Sequence, residues 1–128
     1  MSTPLKYAVF GAGSWATAIV KMFSENLDTI GWYMRSASTK AHLLKEQHNP
    51  SYLSSVEFDT TQLKLSNNMN EIADWADILV FVIPSAFIHA ELNKLTVDIS
   101  KKTVVSAVKG IIPETGKLVG EQLNWQQW

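Results

Sequence analysis

The fold of this chain is decided by residues 5–23, which read LKYAVFGAGSWATAIVKMF. Leu5–Phe10 is a short apolar run that predicts a β-strand, and it stops at Gly11. From Trp15 to Phe23 the apolar residues recur at helical spacing, which predicts an α-helix. A strand, a tight glycine turn and a helix form the opening unit of a parallel α/β sheet.

The rest of the chain repeats this alternation of strand and helix. Further strands are predicted at Thr29–Met34, at Leu63 with Leu65, at Asp77–Ile83 and at Thr103–Val108, and further helices at Ser38–His48, Asn68–Ala76, Phe87–Leu95 and Pro113–Leu123. Residues 78–83 are apolar in succession rather than in alternation, which indicates a strand buried on both faces. The sequence therefore predicts an α/β fold of the Rossmann type, a doubly wound, mainly parallel sheet with helices on both faces.

The composition indicates one globular domain, residues 1–128, with 46% hydrophobic residues and a net charge of -1. The absence of cysteine excludes disulfides, cysteine-ligated zinc, iron–sulfur clusters and a thiol nucleophile. The balanced charge, without a basic cluster, argues against nucleic-acid binding. The longest apolar run, Ile78–Ile83, is far shorter than the roughly 20 residues of a membrane span, so we expect a cytoplasmic protein without a membrane span.

The glycine turn fits the dinucleotide-binding pattern G-x-G-x-x-G/A, because it runs Gly11-Ala12-Gly13-Ser14-Trp15-Ala16 between a strand and a helix. In that pattern Gly11 permits the tight turn, Gly13 lets a pyrophosphate approach the backbone, and Ala16 allows close packing of helix on strand. The start of the helix then directs free N–H groups and a positive dipole end at the phosphates. The alternative is a glycine turn that holds no ligand.

The residue after the second strand indicates which dinucleotide is preferred. Proteins that prefer NAD carry an acidic residue there, about 20 residues after the glycine turn, whereas this chain carries Arg35. A guanidinium can pair with the 2′-phosphate of NADP, so we expect NADPH to be favoured over NADH. The alternative is that Arg35 stacks on the adenine without selecting between the two.

Two other candidate sites fail on spacing. Residues 110–117 resemble an ATP-binding P-loop, but five residues rather than four separate the glycines and Leu118 stands where Ser or Thr is required. The histidines His42, His48 and His89 include no pair at i, i+4 spacing, so we expect no metal site.

Five short motifs in order make the chain resemble the NAD(P)-dependent glycerol-3-phosphate dehydrogenases. They are Gly11-Ala12-Gly13-Ser14-Trp15, Asn49-Pro50-Ser51-Tyr52-Leu53, Ile83-Pro84-Ser85, Ser106-Ala107-Val108-Lys109-Gly110-Ile111 and Pro113-Glu114-Thr115-Gly116-Lys117-Leu118. Their order and spacing are more specific than the glycine turn alone. The chain departs from the family at Ala16, where glycine is usual, and at Val108, where threonine is usual.

The resemblance implies a set of site residues. The backbone around Ser14 and Trp15 would hold the pyrophosphate of NADP or NAD, and Lys109 would contact both cofactor and substrate. Arg35 and Ser36 would meet the adenosine end, while Tyr52 and Phe87 would flank the cofactor. The full set of cofactor-binding residues that it implies is Gly11, Gly13, Ser14, Trp15, Ala16, Arg35, Ser36, Tyr52, Pro84, Phe87 and Lys109.

The resemblance also implies a reaction, the transfer of a hydride between NAD(P)H and dihydroxyacetone phosphate to give sn-glycerol 3-phosphate for glycerophospholipid synthesis. In the family a helical second domain supplies the general base and most substrate contacts, and this chain ends at Trp128. We therefore expect residues 1–128 to be the nucleotide-binding domain, inactive alone. The alternatives are a non-catalytic dinucleotide-binding module and another NADP-dependent reductase, of the ketopantoate or 3-hydroxyacid type.

A domain of this kind, lacking its second domain, would expose apolar surface, so we also expect self-association, with a homodimer as its form.

Overall fold

The computed structural model describes residues 5–49 and 57–106 of the chain, and these form one five-stranded sheet with helices on both faces. The strands are β1 (Tyr7–Phe10), β2 (Ile30–Tyr33), β3 (Leu63–Ser66), β4 (Ile78–Phe81) and β5 (Thr103–Ser106). The helices are α1 (Ser14–Ser24), α2 (Ala37–Glu46), α3 (Met69–Trp75) and α4 (Ser85–Leu92), and a 3₁₀ turn at Thr60–Gln62 precedes β3. The predicted fold class is confirmed.

The sheet is parallel throughout and has the strand order β3-β2-β1-β4-β5. Strand β1 is therefore central, and its Ala8 pairs with Gly31 of β2 on one side and Leu79 of β4 on the other. Parallel neighbours need crossover connections, which here are the four helices. Because β1 lies between β2 and β4, the connections to its two sides leave on opposite faces of the sheet.

Each face of the sheet carries its own apolar core. Leu79 and Phe81 of β4 point to one face, where the rings of Phe81 and Phe10 stack with their centroids 4.7 Å apart. Val80 and Val82 point to the other face, together with the fully buried Trp32. Strand β4 is therefore buried on both sides, as its unbroken apolar run predicts.

The helices divide between the two cores. Helix α1 contributes Ala16 and Val20 to the core that contains Trp32. Helices α3 and α4 contribute Ile72 and Ile88 to the core that contains Phe81. This division of helices between the faces is the doubly wound arrangement, and it brings the beginnings of α1 and α4 to the same edge of the sheet.

Most predicted elements are found, with bounds that differ by a few residues. Leu5 lies outside β1 and is 56% exposed, and α2 ends at Glu46 because Gln47 adopts a left-handed conformation with φ 64°. The strand predicted to continue to Val108 is seen as far as Ser106, and the helix predicted at residues 113–123 lies outside the described residues. Within the described parts of the chain, no helix has both the length and the apolar character needed to cross a bilayer.

Candidate functional site

A cleft of about 280 Å³ opens beyond the carboxyl ends of β1, β2 and β4. It lies where the strand order reverses, because α1 and α4 leave this edge towards opposite faces and a crevice remains between them. The residues that line it come from the glycine turn, from the ends of β2 and β4 and from α2 and α4. They are Gly11, Ala12, Gly13, Tyr33, Arg35, Ser36, Thr39, Asn49, Ile83, Pro84, Phe87 and Glu91.

The first glycine of the turn is required by the fold. Gly11 has φ +135°, a conformation that residues with a Cβ rarely adopt, and its N–H donates to the Tyr33 carbonyl oxygen at 3.0 Å. A Cβ built on Gly11 would overlap the carbonyl oxygen of Val82. The chain can therefore pass between β2 and the end of β4 only if residue 11 has no side chain.

The second glycine is not required by the fold. Gly13 has φ −75° and ψ −174°, which is ordinary extended backbone. Apart from its chain neighbours, no heavy atom of the described residues lies within 4 Å of a Cβ built on Gly13. The missing Cβ leaves open space at the wall of the cleft, where a ligand could come close to the backbone.

The start of α1 is exposed at this wall. Gly13 caps the helix without a side-chain hydrogen bond, and the first N–H groups of any helix have no partner within it. Ser14 and Trp15 are exposed and do not line the cleft, and Trp15 is 60% exposed. Ala16 does not line it either, because its side chain is buried in the core beneath the turn.

Arg35 and Phe87 face each other across the cleft. The guanidinium carbon of Arg35 lies 5.5 Å from the centre of the Phe87 ring, within the range of a cation–π contact. No hydrogen bond or ion pair joins the guanidinium to any other described residue. The cleft is therefore lined by a guanidinium whose N–H groups are available to an anion or to the edge of a base.

Ser36 lines the cleft next to Arg35 and also begins α2. Its Oγ accepts a hydrogen bond from the Thr39 N–H at 3.2 Å, which is a helix N-cap. It also lies 2.9 Å from the Oγ of Ser38. The side chain of Ser36 therefore already contributes to the structure of α2 without a ligand.

Tyr33 and Glu91 form a buried pair that the sequence analysis missed. The Tyr33 hydroxyl donates to a Glu91 carboxylate oxygen at 2.8 Å, and the Lys94 ammonium lies 2.9 Å from the other oxygen. Burial, the hydrogen bond and the Glu91 charge raise the pKa of the Tyr33 phenol, while the Arg35 charge lowers it less. Tyr33 is therefore a hydrogen-bond donor at neutral pH and not a base. The signal in the sequence is a carboxylate between Ile88 and Leu92, on the apolar side of α4.

The remaining residues named from the sequence are two that the structure does not describe, Pro84, and the histidines. Tyr52 and Lys109 are not among the described residues. Pro84 lines the cleft, directly before α4. The rings of His42 and His48 contact each other with centroids 4.8 Å apart, and the part of the chain that the structure describes holds no group of three potential metal ligands.

One protein family matches nearly the whole chain. Its sequence profile, described as NAD-dependent glycerol-3-phosphate dehydrogenase N-terminus, matches residues 6–126. The chain belongs to the NAD-dependent glycerol-3-phosphate dehydrogenase family. This membership confirms the resemblance carried by the five motifs, and it decides against a reductase of the ketopantoate or 3-hydroxyacid type.

Individual members of the glycerol-3-phosphate dehydrogenase family agree with this assignment. A glycerol-3-phosphate dehydrogenase [NAD(P)+] from Aromatoleum aromaticum is 34% identical over 117 residues, which are 91% of this chain and 35% of that protein. One from Pelodictyon phaeoclathratiforme is 30% identical over 120 residues, 93% of this chain and 36% of that protein. The chain therefore spans about a third of the length of these relatives.

The fold is shared with solved structures of the glycerol-3-phosphate dehydrogenase family. The crystal structure of glycerol-3-phosphate dehydrogenase from Coxiella burnetii superposes with a TM-score of 0.81 at 20% sequence identity. The superposition covers 96% of this chain and 38% of that one. It shows that the described sheet and helices have the arrangement found in that enzyme.

Proposed function

We propose that residues 1–128 form the dinucleotide-binding domain of a glycerol-3-phosphate dehydrogenase that uses NADP or NAD. The observation that carries the proposal is Gly13. A glycine that neither backbone conformation nor packing requires stands at the wall of the cleft, before the exposed start of α1. A ligand that touches the backbone there accounts for it, and a pyrophosphate at a helix start is a ligand of that kind.

The cleft residues divide the dinucleotide between them. The glycine turn and the N–H groups at the start of α1 bind the pyrophosphate, with Ser14 and Trp15 contributing their backbone. Arg35 and Ser36 lie at the end of β2 and bind the adenosine half, where the Arg35 guanidinium pairs with the 2′-phosphate of NADPH. Phe87, at the start of α4, packs against the bound cofactor.

The proposed reaction interconverts dihydroxyacetone phosphate and sn-glycerol 3-phosphate. When bound, the nicotinamide supplies or accepts the hydride. The described residues bind and orient it, and Lys109, three positions after β5, contacts the substrate. The relatives are about two and a half times as long as this chain, so we assign the general base and the phosphate-binding groups to their additional length. The domain alone is then expected to bind cofactor without turnover.

Calorimetric titration with NADPH and with NADH tests the proposal, in the wild type and in Gly13→Ala. We expect saturable binding to the wild type. We expect Gly13→Ala to weaken binding of both dinucleotides by roughly tenfold to a hundredfold, because overpacking a close contact costs about 1–3 kcal/mol. The melting temperature of this variant should fall by only a few degrees, since the added methyl group touches no described residue and the cost is that of alanine in place of glycine at a helix N-cap.

Two results would contradict the proposal. Failure of the wild type to bind either dinucleotide would mean that the cleft does not serve as a nucleotide site in this chain. Equal affinities of wild type and Gly13→Ala would mean that the ligand does not approach residue 13.

Self-association is a further part of the proposal. Large apolar side chains are exposed at Trp15 and Met22 on α1 and at Val105 on β5, and association with a second copy of the chain would remove such side chains from water. Light scattering should show an apparent mass that rises with concentration, whereas a constant mass of 14.3 kDa would contradict it.

The cytoplasmic location stays a prediction, which imaging of a tagged protein would test.

A further inference from the structure

Three consecutive carbonyl groups of the glycine turn are each held by a different buried side chain. The Trp32 indole N–H donates to the Gly11 oxygen at 2.6 Å. The Asn49 amide donates to the Ala12 oxygen at 3.0 Å, and the Thr17 hydroxyl donates to the Gly13 oxygen at 2.7 Å. Every carbonyl of residues 11–13 is therefore engaged by the protein.

The three donors are buried, and two of them, Asn49 and Thr17, are linked to each other. Trp32 and Thr17 are 0% exposed and Asn49 is 1% exposed. The Asn49 amide also donates to the Thr17 hydroxyl oxygen at 3.1 Å. One NH₂ group therefore binds both the Ala12 oxygen and the Thr17 hydroxyl, which in turn donates to the Gly13 oxygen. Asn49 belongs to the Asn49-Pro50 motif, which the sequence analysis used only as part of a resemblance. In the structure its side-chain amide is hydrogen-bonded to the glycine turn.

These hydrogen bonds fix the direction of three N–H groups. In a trans peptide the carbonyl oxygen and the following N–H point in opposite directions. A Gly11 oxygen turned towards Trp32 therefore turns the Ala12 N–H away from it. In the same way Asn49 sets the direction of the Gly13 N–H. Thr17 sets that of the Ser14 N–H, because both its hydroxyl and its backbone N–H donate to the Gly13 oxygen, at 2.7 and 2.9 Å. The N–H groups of Ala12 and Gly13 donate to no acceptor among the described residues.

We propose that Trp32, Asn49 and Thr17 are positioning residues that hold these three N–H groups in the orientation that binds the diphosphate of the dinucleotide. The inference rests on the proposed function, since it takes a dinucleotide as the ligand. Electrostatic binding of an anion by backbone amides is strongest when the amides need not reorient on binding. The donors act on the ligand through the turn, and Asn49, unlike Trp32 and Thr17, also lines the cleft.

The test compares variants that remove one donor while keeping the shape of the side chain. Asn49→Leu removes the amide, and Thr17→Val removes the hydroxyl. We expect each to lower the affinity for NADPH and NADH by the same factor, about tenfold, since both dinucleotides carry the diphosphate and one hydrogen bond is worth about that ratio. Thr17→Ser keeps the hydroxyl and should bind within about twofold of the wild type.

Gln62→Met is the matched control. The Gln62 amide also donates to two oxygens, the carbonyls of Ser24 and Leu27 at 3.0 and 3.2 Å, but it does not line the cleft. We expect this variant to lose thermal stability and to keep its affinity for both dinucleotides. The comparison separates loss of a hydrogen-bonded amide in general from loss of the amide beside the turn.

The outcomes distinguish the two proposals. If the wild type binds neither dinucleotide, the proposed function fails and the positioning role fails with it. If the wild type binds while Asn49→Leu and Thr17→Val bind as tightly as Gln62→Met, the proposed function stands and the positioning role is wrong. Should Asn49→Leu not fold, the pair Thr17→Val and Thr17→Ser decides, because equal affinities in that pair would overturn the inference.

Discussion

Replacing Gly11 with alanine is expected to be the most destabilising single substitution in the glycine turn. The new Cβ would overlap the Val82 carbonyl oxygen and lie 2.9 Å from its carbon, and these are backbone atoms that cannot rotate away. The turn cannot shift to relieve the overlap, because Gly11 is hydrogen-bonded to β2 and the Val82 N–H is bonded to Phe10. Strained backbone and overpacking together predict a loss of about 3–5 kcal/mol in the free energy of unfolding.

Urea unfolding followed by circular dichroism measures this loss. Gly13→Ala is the matched control, because it adds the same methyl group two residues away and should lower the free energy of unfolding by only about 0.5–1 kcal/mol, the cost of alanine in place of glycine at the N-cap of α1. If Gly11→Ala cannot be obtained folded while Gly13→Ala can, the prediction holds in its strongest form. Equal stabilities of the two variants would show that the turn tolerates a side chain at residue 11.

Reversing the charge of Arg35 is expected to have the largest effect on ligand selection. Arg35→Asp should weaken NADPH binding by roughly a hundredfold or more, since it removes charge-assisted hydrogen bonds worth about 1.5–3 kcal/mol and adds repulsion of the 2′-phosphate. NADH lacks that phosphate, so its affinity should change by less than about threefold. The guanidinium is in place for this role, since it lines the cleft over Phe87.

Parallel titrations with both dinucleotides at one ionic strength measure the selectivity. Lys45→Asp is the control for long-range electrostatics, since it makes the same change of charge at an exposed position of α2 that does not line the cleft. It should leave the ratio of the two affinities unchanged. Equal losses for NADPH and NADH in Arg35→Asp would instead indicate that the guanidinium stacks on the adenine common to both.

The elements of the fold could be predicted because they depend on local pattern. The unbroken apolar run at residues 78–83 indicated a strand buried on both faces, and Leu79 and Val80 indeed point into different cores. The ends of the elements could not be predicted, because they depend on partners. Val82 and Ile83 are as buried as β4 itself, yet the strand ends before them, since β1 ends at Phe10 and the chain turns at Gly11.

In the candidate site, too, some residues could be predicted from the sequence and others depend on contacts between distant parts of the chain. Arg35 could be placed at the cleft from its position at the end of the second strand, since ligands bind beyond the carboxyl ends of parallel strands, and Phe87 from the family resemblance. Glu91 and Asn49 could not, because their positions depend on how α4 packs beneath Tyr33 and how the chain after α2 returns to the glycine turn. Those contacts join residues 58 and 37 positions apart, which no local pattern encodes.

Helix α2 is anchored more weakly than its neighbours, since Leu43 is its one buried residue. Arg35 and Ser36 directly precede this helix, and Asn49 follows shortly after its end, so several cleft residues flank a helix with few buried contacts, and segments of that kind are the first to open locally. If α2 moved away from the sheet transiently, the Arg35 guanidinium and the Asn49 amide would leave the cleft together. The affinity of the cleft for a dinucleotide would then include the free energy of packing α2 on the sheet. A ligand that contacts residues at both ends of α2 would stabilise the packed state.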